Sequence, residues 1–456
     1  MKTKLITLLI LAIFTSTYAQ FGPEQIITTN ADEARSVYSA DLDGDGDMDV
    51  LSTSYEGISW YENDGDGDFG SQQIITINAD TFIYSVYATD LDGDGDMDVL
   101  SGVSGDDIFW YENVNGDGSV WIEHVILNIF CWASKTYAAD LDSDGDKDII
   151  YICNQSPGTG NGVIRWLEND GVGNFGTEHN IGYSGFQIYA TDIDGDGDMD
   201  VLTNMTEYDY NKRIIWYEND GYGNFGSEQI IISNADAFIS SVYATDLDGD
   251  GDMDVLSASG DDNKIAWYEN VNGDGSVWIE HIITTDALEA RSVYATDIDN
   301  DGNMDVLSAS YDDNKIAWYD NINGLGDFGP QQIITTDANG AESVYAEDLN
   351  GDGYMDVLSA SSGDDKIAWY ENTHIFGVNE NVLIDISFFP NPVKNVLNIQ
   401  SNTTITEIEI YNQLGQLVMS NSNQNTIDLS SVSSGIYFIK IKDENGNIGN
   451  KKVVKQ

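Results

Sequence analysis

Basic side chains are scarce in this chain. Its 456 residues hold 18 lysines and arginines against 79 aspartates and glutamates, for a formal net charge of −61. Such acidity repels phosphodiester backbones and anionic lipid headgroups, which excludes nucleic acid and an anionic membrane surface as partners. Histidine occurs four times and without clustering, and neither zinc-ligand spacing nor a serine–histidine–acid arrangement is present. Long apolar runs are missing beyond residue 19. The one run, Leu5 to Phe14, follows Lys2 and Lys4 and precedes small residues. Residues 1–19 therefore read as a secretory signal peptide, and no transmembrane segment is expected. Cysteine occurs twice, at Cys131 and Cys153. An exported chain allows a disulfide between them, but the register that decides it is not readable from sequence.

What the chain has in abundance is one acidic nonapeptide, found seven times at intervals of about 50 residues. The first copy carries Asp41, Asp43, Asp45, Asp47 and Asp49, and the second Asp90, Asp92, Asp94, Asp96 and Asp98. The third carries Asp140, Asp142, Asp144, Asp146 and Asp148, and the fourth Asp192, Asp194, Asp196, Asp198 and Asp200. Asp246, Asp248, Asp250, Asp252 and Asp254 follow, then Asp297, Asp299, Asp301, Asn303 and Asp305. The last copy has Asp348, Asn350, Asp352, Tyr354 and Asp356.

Oxygen-bearing side chains at positions 1, 3, 5 and 9 of a tight loop suit a hard cation, which takes six to eight oxygens at roughly 2.3–2.6 Å. Position 6 is glycine in every copy, where the chain must turn sharply about the ion. Position 7 varies as far as Tyr354, as expected if only its backbone carbonyl is a ligand. An EF-hand would need a bidentate glutamate at position 12, but Ser52, Ser101, Tyr151, Thr203, Ser257, Ser308 and Ser359 stand there. Apolar runs such as Val255-Leu256 follow the loops and read as strands, not helices. The expected cofactor is Ca²⁺, at about seven sites.

Each repeat reads as four strands. In the fifth they are Ser241–Thr245, Asp254–Ala258, Lys264–Asn270 and Trp278–Ile283. Four short strands in roughly 40–50 residues make a propeller blade. The third strand always centres on a tryptophan (Trp60, Trp110, Trp166, Trp216, Trp267, Trp318, Trp369), which reads as packing between blades rather than as a sugar-stacking row. The seventh repeat ends after its third strand, and Pro23–Thr28 resembles the missing fourth. The expected fold is thus all-β, a seven-bladed propeller over residues 20–375 closed by its N-terminal strand.

The loop, the strand order and the repeat number together resemble the FG-GAP/VCBS family, whose calcium-binding propeller repeats also occur in integrin α-subunits. The resemblance implies calcium loops on the bottom of the ring and ligands taken from the top. After a linker at 376–382, residues 383–456 change character: acidic loops vanish and lysines concentrate near the end. Alternation in Val396–Gln400, Glu407–Tyr411 and Ile436–Lys440 reads as a small β-sandwich. Phe389-Pro390-Asn391-Pro392, Ile427-Asp428-Leu429-Ser430, Gly435-Ile436-Tyr437 and the closing Lys451-Lys452-Val453-Val454-Lys455-Gln456 are similar to the C-terminal sorting domain of type IX secretion substrates. That resemblance implies handling by the secretion machinery and a secreted or outer-membrane-surface location.

The functional expectation is a binding or adhesion module for a glycan or protein, contacted through top-face loops that include Glu33–Arg35, Tyr55-Glu56, Glu207–Lys212, Glu289–Arg291 and Tyr311–Asp313. A calcium-assisted polysaccharide lyase and a passive surface component are the alternatives. For a lyase, nothing singles out a catalytic pair.

Overall fold

In the computed structural model the described residues are 21–373 and 387–456, apart from 56, 78–82, 104–106, 129–131, 155–161, 207–211, 236–237, 402–403, 412–416, 422–425, 431, 434 and 444–447. The expected signal peptide and linker fall outside them, as do Cys131, Glu56 and most of the loop before Lys212. Among the described residues there is no helix, and so none long and apolar enough to cross a membrane. The chain divides into two compact units, Met1–Thr373 and His374–Gln456.

The first unit holds seven four-stranded antiparallel sheets, one per repeat. In the fifth, the strands are Ile239–Thr245, Asp254–Ser259, Lys264–Asn270 and Trp278–Thr284, within two residues of the sequence reading. Burial explains the order. The second strands (Asp305–Ser310 and its equivalents) are buried along their whole length, as the middle of a stacked sheet requires. The outer strands alternate between half-buried and exposed residues. The seventh sheet takes its fourth strand from the other end of the unit: Gln25–Thr28 pairs antiparallel with Lys366–Tyr370, Gln25 opposite Trp369.

Inner strands alternate the other way, as in Ile188–Thr191, where every second side chain is half exposed. Those side chains include one tyrosine per repeat. Tyr38, Tyr87, Tyr137, Tyr189, Tyr243, Tyr294 and Tyr345 touch in that order, with ring centroids 4.7–5.5 Å apart, and Tyr345 meets Tyr38 at 5.0 Å. Neighbouring rings are inclined by 39–52°. One step around a seven-fold axis is about 51°, so the tyrosines mark the axis of a radial array.

The tryptophans are the packing elements expected. All seven are at most 5% exposed. In six repeats a glycine of the turn after the third strand lies flat on the tryptophan of the preceding blade. A Cβ on Gly67 would come within 2.6 Å of Trp369 Cζ2, and its φ of +80° independently requires glycine. His124, His179 and His281 stack on Trp110, Trp166 and Trp267 at 4.4–4.7 Å, which accounts for three of the four histidines.

In the second unit, a three-stranded sheet (Ser387–Phe389, Val396–Gln400, Thr426–Asp428) and a four-stranded one (Ile405–Tyr411, Leu417–Asn421, Gly435–Asp443, Ile448–Lys455) share one core, including Leu397, Ile427, Ile408 and Ile439. Two small sheets on a common core are the arrangement expected for this segment.

Candidate metal centre and inter-blade stitches

Each nonapeptide joins an inner strand to the second strand and wraps around its own first aspartate. In the first copy, Gly44 N and Gly46 N donate to the two carboxylate oxygens of Asp41, at 2.8 and 3.1 Å. Asp45 N and Asp47 N donate to Asp43 and Asp45. Gly46, at φ +99°, supplies the turn. The wrapping gathers carboxylates. Asp41, Asp43 and Asp45 each place an oxygen within 4.8 Å of the others. So do Asp90, Asp92 and Asp98, then Asp140, Asp142 and Asp148, Asp192, Asp194 and Asp200, and Asp246, Asp248 and Asp250.

Like charges this close need a cation or protons. Burial, then the neighbouring position-5 aspartate, pushes the position-3 carboxyls up from the usual range, Asp194 and Asp299 to about 6. Asp142 Oδ1 and Asp299 Oδ1 are buried with no hydrogen-bond partner. An orphaned carboxylate oxygen in an all-oxygen cluster is what a hard-cation site leaves when its ion is not counted. The residues present fit a divalent cation.

Position 9 carries a second duty. Asp49 is fully buried; its Oδ2 accepts from Leu42 N at 2.9 Å and its Oδ1 from Asn63 N at 2.9 Å. The same pair of bonds recurs at Asp98, Asp148, Asp200, Asp254, Asp305 and Asp356. This aspartate ties the loop to the third strand as well as facing the cluster. Position-7 side chains do something else again: Asp47, Asp96, Asp146, Asp198, Asp252 and Asn303 pack over the first glycine of the following turn, leaving no room for a Cβ there.

The asparagine three residues beyond each third-strand tryptophan reaches across to the neighbouring blade. Asn270 Nδ2 donates to Ile193 O at 2.8 Å, a carbonyl inside the previous repeat's acidic loop, while Gly275 N donates to Asn270 Oδ1 at 3.0 Å. Asn63 makes the same bond to Leu349 O of the seventh repeat at 2.7 Å. Acidic loop and blade interface are thereby one construction. Replacing Asn270 by alanine leaves Ile193 O short of its buried donor and is expected to cost about 2–3 kcal/mol. Urea unfolding of the calcium-loaded protein measures this, and a loss below about 0.5 kcal/mol would remove the stitch from the energetics.

At the opposite end, the turn between second and third strands grips the next inter-blade loop. Asn314 O and Oδ1 accept from Ala338 N and Gly340 N, and Lys315 joins Asp313 at 2.7 Å and Asp286 O at 2.6 Å. The seventh repeat repeats this against the N-terminal segment: Ala31 N and Glu33 N donate to Asp365 O and Oδ1, both at 3.0 Å. Sequence reading passed over this clamp, although the run Asp-Asp-Asn-Lys in two repeats was its signal. Cys153, opposite Ala133 at the end of the third repeat's second strand remote from its acidic loop, is disulfide-bonded.

The FG-GAP-like repeat family matches residues 41–101, 90–151, 140–203, 205–257, 246–308 and 297–359. The chain belongs to that family. These FG-GAP repeats are followed by a secretion system C-terminal sorting domain, matched over residues 387–456, which marks export through type IX secretion to the cell surface or beyond. Among solved structures, a lectin from Agrocybe aegerita that recognises non-reducing terminal N-acetylglucosamine is similar at 17% identity and a TM-score of 0.50, over 73% of this chain and 86% of that one. BBS1N in complex with ARL6DN is similar at 10% identity and a TM-score of 0.51, over 78% of this chain and 97% of that one. At such identities the likeness establishes the fold alone. No curated protein matches the chain.

Proposed function

We propose that the protein is a calcium-stabilised binding module of the cell exterior, holding Ca²⁺ in its seven acidic loops and a glycan on the face opposite them. Positions 1, 3, 5 and 9 supply side-chain oxygens and position 7 a carbonyl, with Asn350 taking one place in the last loop. Calcium is favoured over transition metals because every donor is a hard oxygen.

The observation that carries the binding reading is a motif repeated at the top of the first and sixth blades. Glu33 and Glu289 sit at φ 49° and 52°, a conformation disfavoured for glutamate, and each forms an ion pair with an arginine two residues on. Arg291 also lies over the Tyr311 ring, 5.1 Å from its centroid. On a propeller this acidic, two pre-set arginines, one of them over an aromatic ring, are the places where hydroxyl-rich ligands gain hydrogen bonds and, at Arg291, stacking. The lectin that shares the fold puts glycans first among ligands to test.

A glycan array probed with the full chain, with calcium and after chelation, tests this. Calcium-dependent hits weakened about tenfold or more by Arg35→Ala with Arg291→Ala are the expected outcome. A blank array from folded protein, or hits indifferent to both substitutions, would move the reading to a protein partner or a structural role.

A further inference from the structure

One repeat breaks the pattern of the inner strands. Two residues before each axial tyrosine stands Ser36, Ser85, Ser241, Ser292 or Ser343, or Gln187 in the fourth repeat; in the third it is Lys135. Tyr137 touches Tyr87 and Tyr189 at 4.8 and 5.5 Å and so faces the axis. Lys135, half-buried on the same strand, shares that face. The strand runs toward the acidic loop at Asp140, so Lys135 lies on the side of the tyrosines away from the metal clusters. Glu347, two residues after Tyr345, lies on the other side. Rings spaced as observed stand about 6 Å from the axis at their centroids, so the tyrosines floor a narrow mouth with Lys135 in its wall.

The lysine is exceptional in its company. Among the described residues of this unit, every other lysine and arginine except Lys147, itself inside an acidic loop, has a carboxylate within ion-pair distance. Lys135 has none among those residues, in a protein with over four acids for every base. Burial disfavours its charged form, so an anion bound beside it is what would hold the ammonium protonated. The serines at its level are half committed: Ser85 Oγ accepts from Thr136 N, Ser241 Oγ from Val293 N and Ser292 Oγ from Val344 N, all at 3.4 Å. In these bonds each hydroxyl accepts, so each still carries a proton to donate.

We propose that the axial mouth on the top face binds a carboxylate group, with Lys135 as its counter-charge and, as donors, the Ser85 hydroxyl of the neighbouring repeat and the serine hydroxyls across the mouth. A carboxylate suits the mouth better than a phosphate, because a single negative charge meets a single cation in a field otherwise strongly negative. The carboxylate arrives either on a small free acid or on a uronic acid unit of an acidic glycan. The site is separate from the rim arginines, and its test uses different substitutions.

The experiment is titration calorimetry on the calcium-loaded full chain with acetate, glucuronate and the neutral methyl glucoside. Saturable binding of a carboxylate and none of the glucoside is expected. Lys135→Ser, which installs the residue five other repeats carry, should weaken it at least about tenfold, and Lys135→Arg should retain it. Preference for glucuronate over acetate assigns the mouth to acidic sugars; equal binding assigns it to free carboxylates. Should Lys135→Ser not fold, reductively methylated wild-type protein gives a second reading: the Lys135 methyl resonance should shift saturably with glucuronate. No carboxylate binding by wild type, undiminished binding by a folded Lys135→Ser, or an unmoved resonance overturns the proposal. Loss of array hits in the rim variants, with glucuronate binding intact, separates it from the rim reading.

Discussion

Chelation is expected to unfold the propeller, dropping its melting temperature by more than about 20 °C rather than by a few degrees. A ligand at a hundred times its dissociation constant stabilises by about 2.7 kcal/mol per site, so seven sites contribute roughly 19 kcal/mol. That exceeds the whole stability of an ordinary domain, about 5–15 kcal/mol. Removing the ions also exposes the repulsion of a chain at −61. The effect carries a pH signature. In metal-free protein, burial pushes Asp49, Asp98, Asp148, Asp200, Asp254 and Asp356 up to about 7 and Asp305 to about 8, against an ordinary 3.8. Native values above unfolded ones mean that the metal-free fold holds these protons more tightly than the unfolded chain. The stability these seven groups contribute is fullest below pH 4 and is lost as pH rises through 7 to 8. Calcium takes the deprotonated carboxylates, so its own contribution grows over the same interval. The gap in melting temperature between loaded and chelated protein should therefore widen from pH 5 to pH 8. Calorimetric scans at several pH values measure it, and a melting temperature that chelator leaves in place would end the calcium reading.

Removing residues 21–28 should be the next most damaging change. Gln25–Thr28 covers the edge of Lys366–Tyr370, Glu24 pairs at 2.8 Å with a lysine only 5% exposed, and Tyr370 donates to the same glutamate at 3.1 Å. The truncation strips a buried cation of one of its two carboxylates, Asp364 remaining at 3.0 Å, which is worth about 1.5–3 kcal/mol, and opens a strand edge to other chains. The expected result is a melting temperature lower by about 10 °C and new dimers or larger species in size-exclusion chromatography. Glu24→Ala alone should reproduce part of the thermal loss without the association. A truncated protein that stays monomeric and melts normally would show the strand to be dispensable.

Some of these features are legible in the residues and others are not. The acidic loops, the four-strand repeat, the tryptophan in every third strand and the stray strand at Pro23–Thr28 are periodic features, and periodicity survives in a bare sequence. The cross-blade contacts do not, because they depend on which face of a strand meets the next blade. A tyrosine three residues ahead of every acidic loop and an asparagine three residues beyond every tryptophan were equally regular. Nothing in the spacing of Tyr137 told axis from interface, and nothing in Asn270 said that its amide would reach Ile193. Position 9 was assigned as an oxygen donor by its spacing; its two backbone bonds, to Leu42 and Asn63 in the case of Asp49, became visible only when the third strand lay beside the loop.

The seventh sheet is assembled from both ends of its unit, with Phe21 bridged to Asn372 and Gly22 N bonded to Glu371 O at 2.8 Å. During synthesis the segment that emerges first must therefore idle while some 340 residues are added, since its partner is the last of the repeats to be made. Six sheets can form in order from neighbours in sequence, but the seventh waits on the ribosome. Until Lys366–Tyr370 arrives, the nascent propeller is an open arc with an unpaired strand at its leading tip, and that interval is when two nascent copies are most able to exchange strands.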